Sequence, residues 1–173
     1  MNYDKYLDLD YLWKNKEMVH LKLNPTQRVH FYSHNLVKTT QNEEIHDHRY
    51  DFVSTILKGY FEQTIYDVRE NEKGNYIQTL ESCNGSKIAA PHKKVNVELF
   101  YVNSYKEGES YFMDSNTFHT VDSSHNTVTF LRRTDYKKQF ANVIRPKDQS
   151  LTCPFSLKLS ENEIFDCLKE ILK

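Results

Sequence analysis

The sequence predicts an all-β protein, a β-barrel or double-sheet jelly roll closed by one C-terminal helix. Three observations predict it. From about residue 17 the apolar residues recur with a period of two, in short runs separated by Asn, Asp and Ser. Aromatic residues make up 13% of the chain, with 12 Tyr and 10 Phe, which suits pleated surfaces and argues against disorder. A helical stripe preceded by a start signal appears only near the end.

The first dozen residues place Tyr6, Leu9, Leu12 and Trp13 on one loose apolar face, the pattern of a short N-terminal helix. Val19, Leu21 and Leu23 then alternate with polar neighbours, as in a half-buried strand. Further β-rich runs are expected over 28–37, 51–57, 60–68, 76–80, 95–102, 111–113, 118–121 and 127–131. Lys58-Gly59 separates two of them as a tight hairpin would. Asn71 to Asn75 reads as a longer hairpin loop, and Asp114-Ser115-Asn116 as a polar turn. The segment 81–94, ESCNGSKIAAPHKK, has no clean period and reads as an inserted loop. Ser160 and Glu163 form a capping box, and Ile164, Leu168 and Ile171 continue as an apolar stripe, so a helix is expected over about 161–172. The 173 residues read as a single domain with a barrel body at about 17–145.

The charge pattern excludes several partners. With 23 basic and 24 acidic residues the net charge is -1, so no general field attracts nucleic acid or an acidic membrane. The N-terminal stretch carries charges every few residues and has no apolar run long enough for a signal peptide or a span. Cys83, Cys153 and Cys167 are odd in number and widely spaced, which indicates neither a disulfide framework nor a zinc knuckle. A cytoplasmic protein with a small-molecule ligand is the expectation. A homodimer, through an edge strand or the N-terminal segment, is compatible with it.

The sharpest local feature is His46-Asp47-His48. On a strand, residues two apart share a face, so both imidazoles enter the barrel together and can share one metal ion. Alone, such a pair is a weak signal. The flanking spacings strengthen it: Phe52 and Gly59 follow His48, and Gly108 precedes His119, at the offsets of two motifs of the cupin superfamily. The first motif sets the His-x-His pair ahead of a glutamate and a glycine. The second sets a glycine ahead of Pro-x-Gly, a histidine and an asparagine. His46, His48, Gly59, Gly108 and His119 occupy the matching slots, and the region from about residue 30 to 132 resembles a cupin. Departures are Thr40 for the first glycine, Phe52 for the glutamate, Asp114 and Asn116 for the Pro and Gly, and Ser123 for the asparagine.

The resemblance implies a cupin-type double-stranded β-helix whose metal ligands are His46, His48 and His119. Cupins with three histidines and no carboxylate include the thiol dioxygenases, and LKGYFEQTIYDV and SYFMDSNTFHTV look like stretches of the cysteine dioxygenases. The implied ion is Fe(II), with Ni, Mn or Zn as alternatives. Three neutral imidazoles leave the site more positive than a carboxylate-containing triad, favouring an anionic ligand such as a thiolate or enolate. Tyr32 to Val37 resembles the segment carrying that family's carboxylate-binding arginine, and here the slot holds His34. Arg28 or a protonated His34 are the candidate substitutes.

Other pocket candidates follow from the strand face. Tyr50 is either a packed core tyrosine or a catalytic hydrogen-bond donor to substrate or oxygen. Phe52 is expected to wall the cavity, with Tyr101 and Phe130 as further wall candidates. Asp51 should point away from the imidazoles. Arg132-Arg133 reads more readily as a solvated strand end than as an anion site. His20, His30, His92 and His125 read as ordinary histidines. Three functions stay open: a mononuclear non-haem iron dioxygenase-like enzyme, a non-catalytic cupin that binds or sequesters a metabolite or signalling molecule, and a metal-free sugar isomerase or epimerase.

Overall fold

The computed structural model describes residues 18–32, 45–81, 88–148, 160–171 and 173. The expected N-terminal helix, His34 and Thr40 lie outside the described residues. Eleven strands and one helix are described. They are β1 (Met18–Asn24), β2 (Gln27–Tyr32), β3 (Ile45–His46), β4 (Phe52–Lys58), β5 (Tyr60–Glu70) and β6 (Tyr76–Glu81). Then come β7 (Ile88–Lys106), β8 (Ser110–Met113), β9 (Phe118–Ser123), β10 (Thr127–Arg133), β11 (Ala141–Pro146) and α1 (Glu161–Ile171).

The strands form two antiparallel sheets. One runs β1-β2-β10-β4-β8, and the other runs β11-β3-β9-β5-β7-β6 and closes on itself. Alternation explains how they meet. In β4, Phe52, Ser54 and Ile56 are buried while Val53 and Leu57 face out. In β5, Phe61, Gln63 and Ile65 are buried. The main core joins Phe52, Ile56, Tyr111, Met113 and Leu131 of the first sheet to Phe61 and Ile65 of the second, so it lies between the sheets. On the outer face of the first sheet, Val19, Phe31 and Val128 pack with Ile171 and Leu168 of α1. Lys58 Nζ donates to the Ile171 carbonyl at 2.7 Å, satisfying an acceptor at the helix end.

Two turns are tested by their glycines. Gly59, between β4 and β5, has φ +86°, and Gly108, between β7 and β8, has φ +85°. A Cβ at Gly59 would sit 2.6 Å from Thr127 Oγ1, whereas nothing lies within 4 Å of one at Gly108. Thr127 cannot retreat, because it is fully buried and its hydroxyl, 2.8 Å from the Ser124 carbonyl and 3.0 Å from that of Tyr60, shares its one proton with them. Gly108→Ala should therefore cost about 1 kcal/mol of backbone strain, and Gly59→Ala at least about twice that, from strain and overpacking together. Urea unfolding of both variants checks the order. Equal losses would contradict it.

The segment expected to be an inserted loop is corrected in part. From Ile88 onward it is strand, the first stretch of β7, paired with β6. Its lack of alternation has a local cause: Gln78 opposes Lys93 and Leu80 opposes Ala89, so Pro91 falls within a bulge where no ladder N–H is needed. Strand β11 was also not expected, and the strand expected to carry both His46 and His48 stops at His46. β3 has only two residues, and β11 buries Val143, Ile144 and Arg145 in succession, which hides its period.

Candidate metal centre

The chain leaves the closed sheet at His46 and joins the other sheet at Phe52, so residues 47–51 cross between them. His46 stands directly opposite His119 of β9. His48 lies just past β3, where its backbone N–H donates to the Ser115 carbonyl at 3.3 Å. Ring centres are 4.7 Å apart for His46 and His119, 5.1 Å for His46 and His48, and 5.0 Å for His48 and His119. One ring nitrogen from each lies within 4.8 Å of the others. The Nε2 atoms of His48 and His119 are 3.3 Å apart.

These residues fit a divalent transition-metal ion. Two nitrogens sharing an ion at about 2.1 Å stand roughly 3 Å apart. The Nδ1 of His119 lies 3.3 Å from the Thr117 carbonyl, which can only accept. That contact puts the proton on Nδ1 and presents Nε2 as the donor atom, the usual outer support of a metal-binding histidine. His119 is buried, while His46 and His48 are half-buried.

A clamp made by residues 134–142 holds the crossing segment. Asp47 accepts from the Asn142 backbone N–H at 2.7 Å and from Asn142 Nδ2 at 2.6 Å, and its second oxygen also meets Lys138 Nζ. Burial pushes the Asp47 carboxyl above the ordinary carboxylate range, against the pull of Lys138 and Asn142. Asp51, as expected, turns away from the imidazoles: it binds Lys137 and accepts from the Ser115 backbone N–H at 2.9 Å. Lys137 first, and Ser115 next, hold its carboxyl below the ordinary range.

Asp51 gives a pH test. A carboxyl held low in the folded state contributes stability that is full above the unfolded value, near 3.8, and is lost as pH falls through the folded value. Lys137→Ala should lower stability at pH 7 and shrink the further loss on going to pH 3. Urea midpoints at the two pH values decide it; identical acid losses in both proteins would contradict the assignment.

The other expected site residues divide. Phe52 is buried and sets its ring edge-on to His48 at 4.9 Å. Tyr50 is buried, its ring centre 5.7 Å from that of His48, and Arg28 lies over it with Cζ 5.6 Å from the ring centre. Two wall candidates are corrected. Tyr101 opposes Ile65 next to a register shift, stays 42% exposed and has Phe100 as a ring neighbour at 5.1 Å. The extra residue of that bulge, Phe100, carries the strand outward there. Phe130 pairs with Val29, which packs on the outer core beneath α1, so its side chain faces away from the imidazoles.

Sequence reasoning missed Arg49, Tyr136, Lys137 and Lys138, and it misplaced Arg133. Arg133 is half-buried against Tyr50 and Tyr136, whereas only Arg132 is the exposed strand end expected for both. Alternation from buried Leu131 was the available signal. His125 is ordinary, paired with Glu170 at 2.8 Å, while His30 is buried and edge-on to Tyr32 rather than at the surface.

Fold and site together define a mostly-β protein of two antiparallel sheets with a three-histidine cluster able to hold a metal ion. The chain matches no protein-family model and no curated protein. Among the described residues, no helix is long and apolar enough to cross a membrane.

Proposed function

We propose that the protein is a cupin-type enzyme in which His46, His48 and His119 hold Fe(II) and a small chelating thiol or enolate is oxidised by dioxygen. The observation that carries this reading is the convergence of three imidazole nitrogens within 4.8 Å, with the ring of Phe52 in place of a carboxylate. A divalent ion at such a site supplies Lewis acidity and a common binding point for substrate and oxygen. An all-imidazole donor set neutralises none of its charge, which favours an anionic ligand. The buried Phe52 ring lies against His48, and Tyr50, with its ring centre 5.7 Å from that of His48, would be the phenol beside a substrate held there. The jelly-roll assignment rests on the core shared by the two sheets and on the motif glycines at the two positive-φ turns.

Metal analysis of protein purified without an affinity tag tests the reading. About one iron per chain is expected, with oxygen uptake on one of a panel of thiols and diketones, both lost in His46→Ala. Intact protein that takes up no divalent ion would overturn it. Metal binding without oxygen uptake would favour the sequestering cupin instead. A metal-free isomerase needs a carboxylate to orient its base, and Asp47 and Asp51 are engaged by Lys138 and Lys137, which counts against it.

A further inference from the structure

The second sheet is not closed along the whole of β7. The first part of that strand, Ile88 to Val95, pairs with β6, which begins at Tyr76 opposite Val95. From Asn96 to Lys106 the strand has β5 on one side and, among the described residues, no strand on the other. An edge of this kind presents a row of backbone N–H and C=O groups able to take up another strand.

The middle of this open edge is apolar on both faces. Leu99, Phe100, Tyr101 and Val102 are 63, 69, 42 and 46% exposed, although β5 beside them buries Phe61, Gln63 and Ile65. Edges that stay single are ordinarily guarded by lysine, proline or inward-pointing charges. Between Asn96 and Ser104 there is neither lysine nor proline, and the one charge, Glu98, lies close to Arg69, which offsets it. A bulge can also guard an edge, but the one at Phe100 adds an aromatic ring to the open surface. At about 150–250 Å² per large side chain, the four leave roughly 400 Å² of apolar surface uncovered, about half of one partner's share of a standard interface. The strand edge and its charged flanks are the surface available for the other half.

The flanks select the partner. On the N-terminal side of the apolar run stand Lys93 and Lys94, and on the C-terminal side Glu107 and Glu109, all exposed. A second copy laid antiparallel, about a two-fold axis between Phe100 and Tyr101, brings Lys94 beside Glu107 of the partner subunit, twice by symmetry. Lys93 already pairs with Glu70, so Lys94 carries the contact. A parallel copy would set like charges together. The lengths also agree: β6 bounds the open edge at one end and residues 107–109 bound it at the other, so a copy of the same edge fills it from end to end. The net charge of -1 per chain opposes the approach only weakly.

We infer that the protein pairs with a second copy of itself through the open edge of β7, residues 96–106, antiparallel about a two-fold axis, so that the sheet continues from one subunit into the other. This pairing depends neither on the metal centre nor on its proposed chemistry.

The test is sedimentation velocity of the full chain at rising concentration, up to about 100 μM. A reversible dimer is expected. Phe100→Lys and Val102→Lys, both at exposed positions, should each raise its dissociation constant at least about tenfold, because a lysine at the centre of the pairing meets its own copy. Lys94→Glu should weaken the dimer about three- to tenfold, and adding Glu107→Lys to it should restore the dimer, since opposite charges meet again. Phe112→Lys, on the edge strand β8, should leave it unchanged. Melting curves confirm that each variant is folded. A wild-type chain that stays monomeric throughout would overturn the inference and leave the edge to a foreign strand. A dimer lost in Phe112→Lys but untouched by Phe100→Lys and Val102→Lys would overturn it in favour of β8. Failure of the double variant to recover what Lys94→Glu loses would overturn the antiparallel arrangement.

Discussion

His119→Ala is expected to abolish stoichiometric metal binding. Removing an outer partner of a metal-binding histidine costs about 10–100-fold in affinity, and loss of one of three direct ligands should exceed that. His119 is also the best-prepared of the three, buried and with its Nδ1 against the Thr117 carbonyl. Co(II) or Ni(II) titration followed by absorption, with elemental analysis of the dialysed protein, gives the readout. His125→Ala should behave as wild type, since His125 is engaged by Glu170 on the surface. If His119→Ala, shown to be folded by its melting curve, retains one ion per chain with unchanged affinity, the three-histidine centre is wrong.

Asp47→Ala is expected to cost roughly 3 kcal/mol of folding stability, near the low end for breaking one buried ion pair because Lys138 keeps some contact with water. The carboxylate is almost fully buried and accepts three hydrogen bonds, two from Asn142 and one from Lys138. Its removal leaves the Lys138 ammonium and the Asn142 donors without their acceptor inside the protein. Because Asp47 lies between two ligands, metal affinity should also fall, by about the 10–100-fold typical of an orienting contact. Urea unfolding and metal titration measure the two effects separately. A loss under about 1 kcal/mol would mean that the clamp contributes little. Unchanged metal affinity in a destabilised variant would limit Asp47 to a structural role.

Much of the centre was legible because strand periodicity and fixed spacing are local properties. His46 and His119, the buried Phe52 beside His48 and the two positive-φ glycines could be placed from offsets along the chain. His48 reaches the site differently from the expectation. It is not on the strand with His46 but on the crossing segment, fixed by the Ser115 carbonyl. Tyr101 shows where local reasoning fails: it is in register with buried Ile65, yet one bulge residue beside it leaves it exposed. Phe130 fails for another reason, since either face of β10 buries apolar side chains, one against the second sheet and one beneath α1.

The sequence by itself determined that the chain is β-rich, where its described helix lies, and which three histidines share an address. Those follow from side-chain alternation, a capping box and fixed offsets, all of which act over a few residues. Only the tertiary structure decided what surrounds that address. The lysines on Asp47 and Asp51 and the arginines about Tyr50 come from segments more than 80 residues apart or from opposite ends of different strands. Charge pairing and ring stacking depend on distance in space, and no periodicity along the chain encodes which cation a buried acid or phenol will meet.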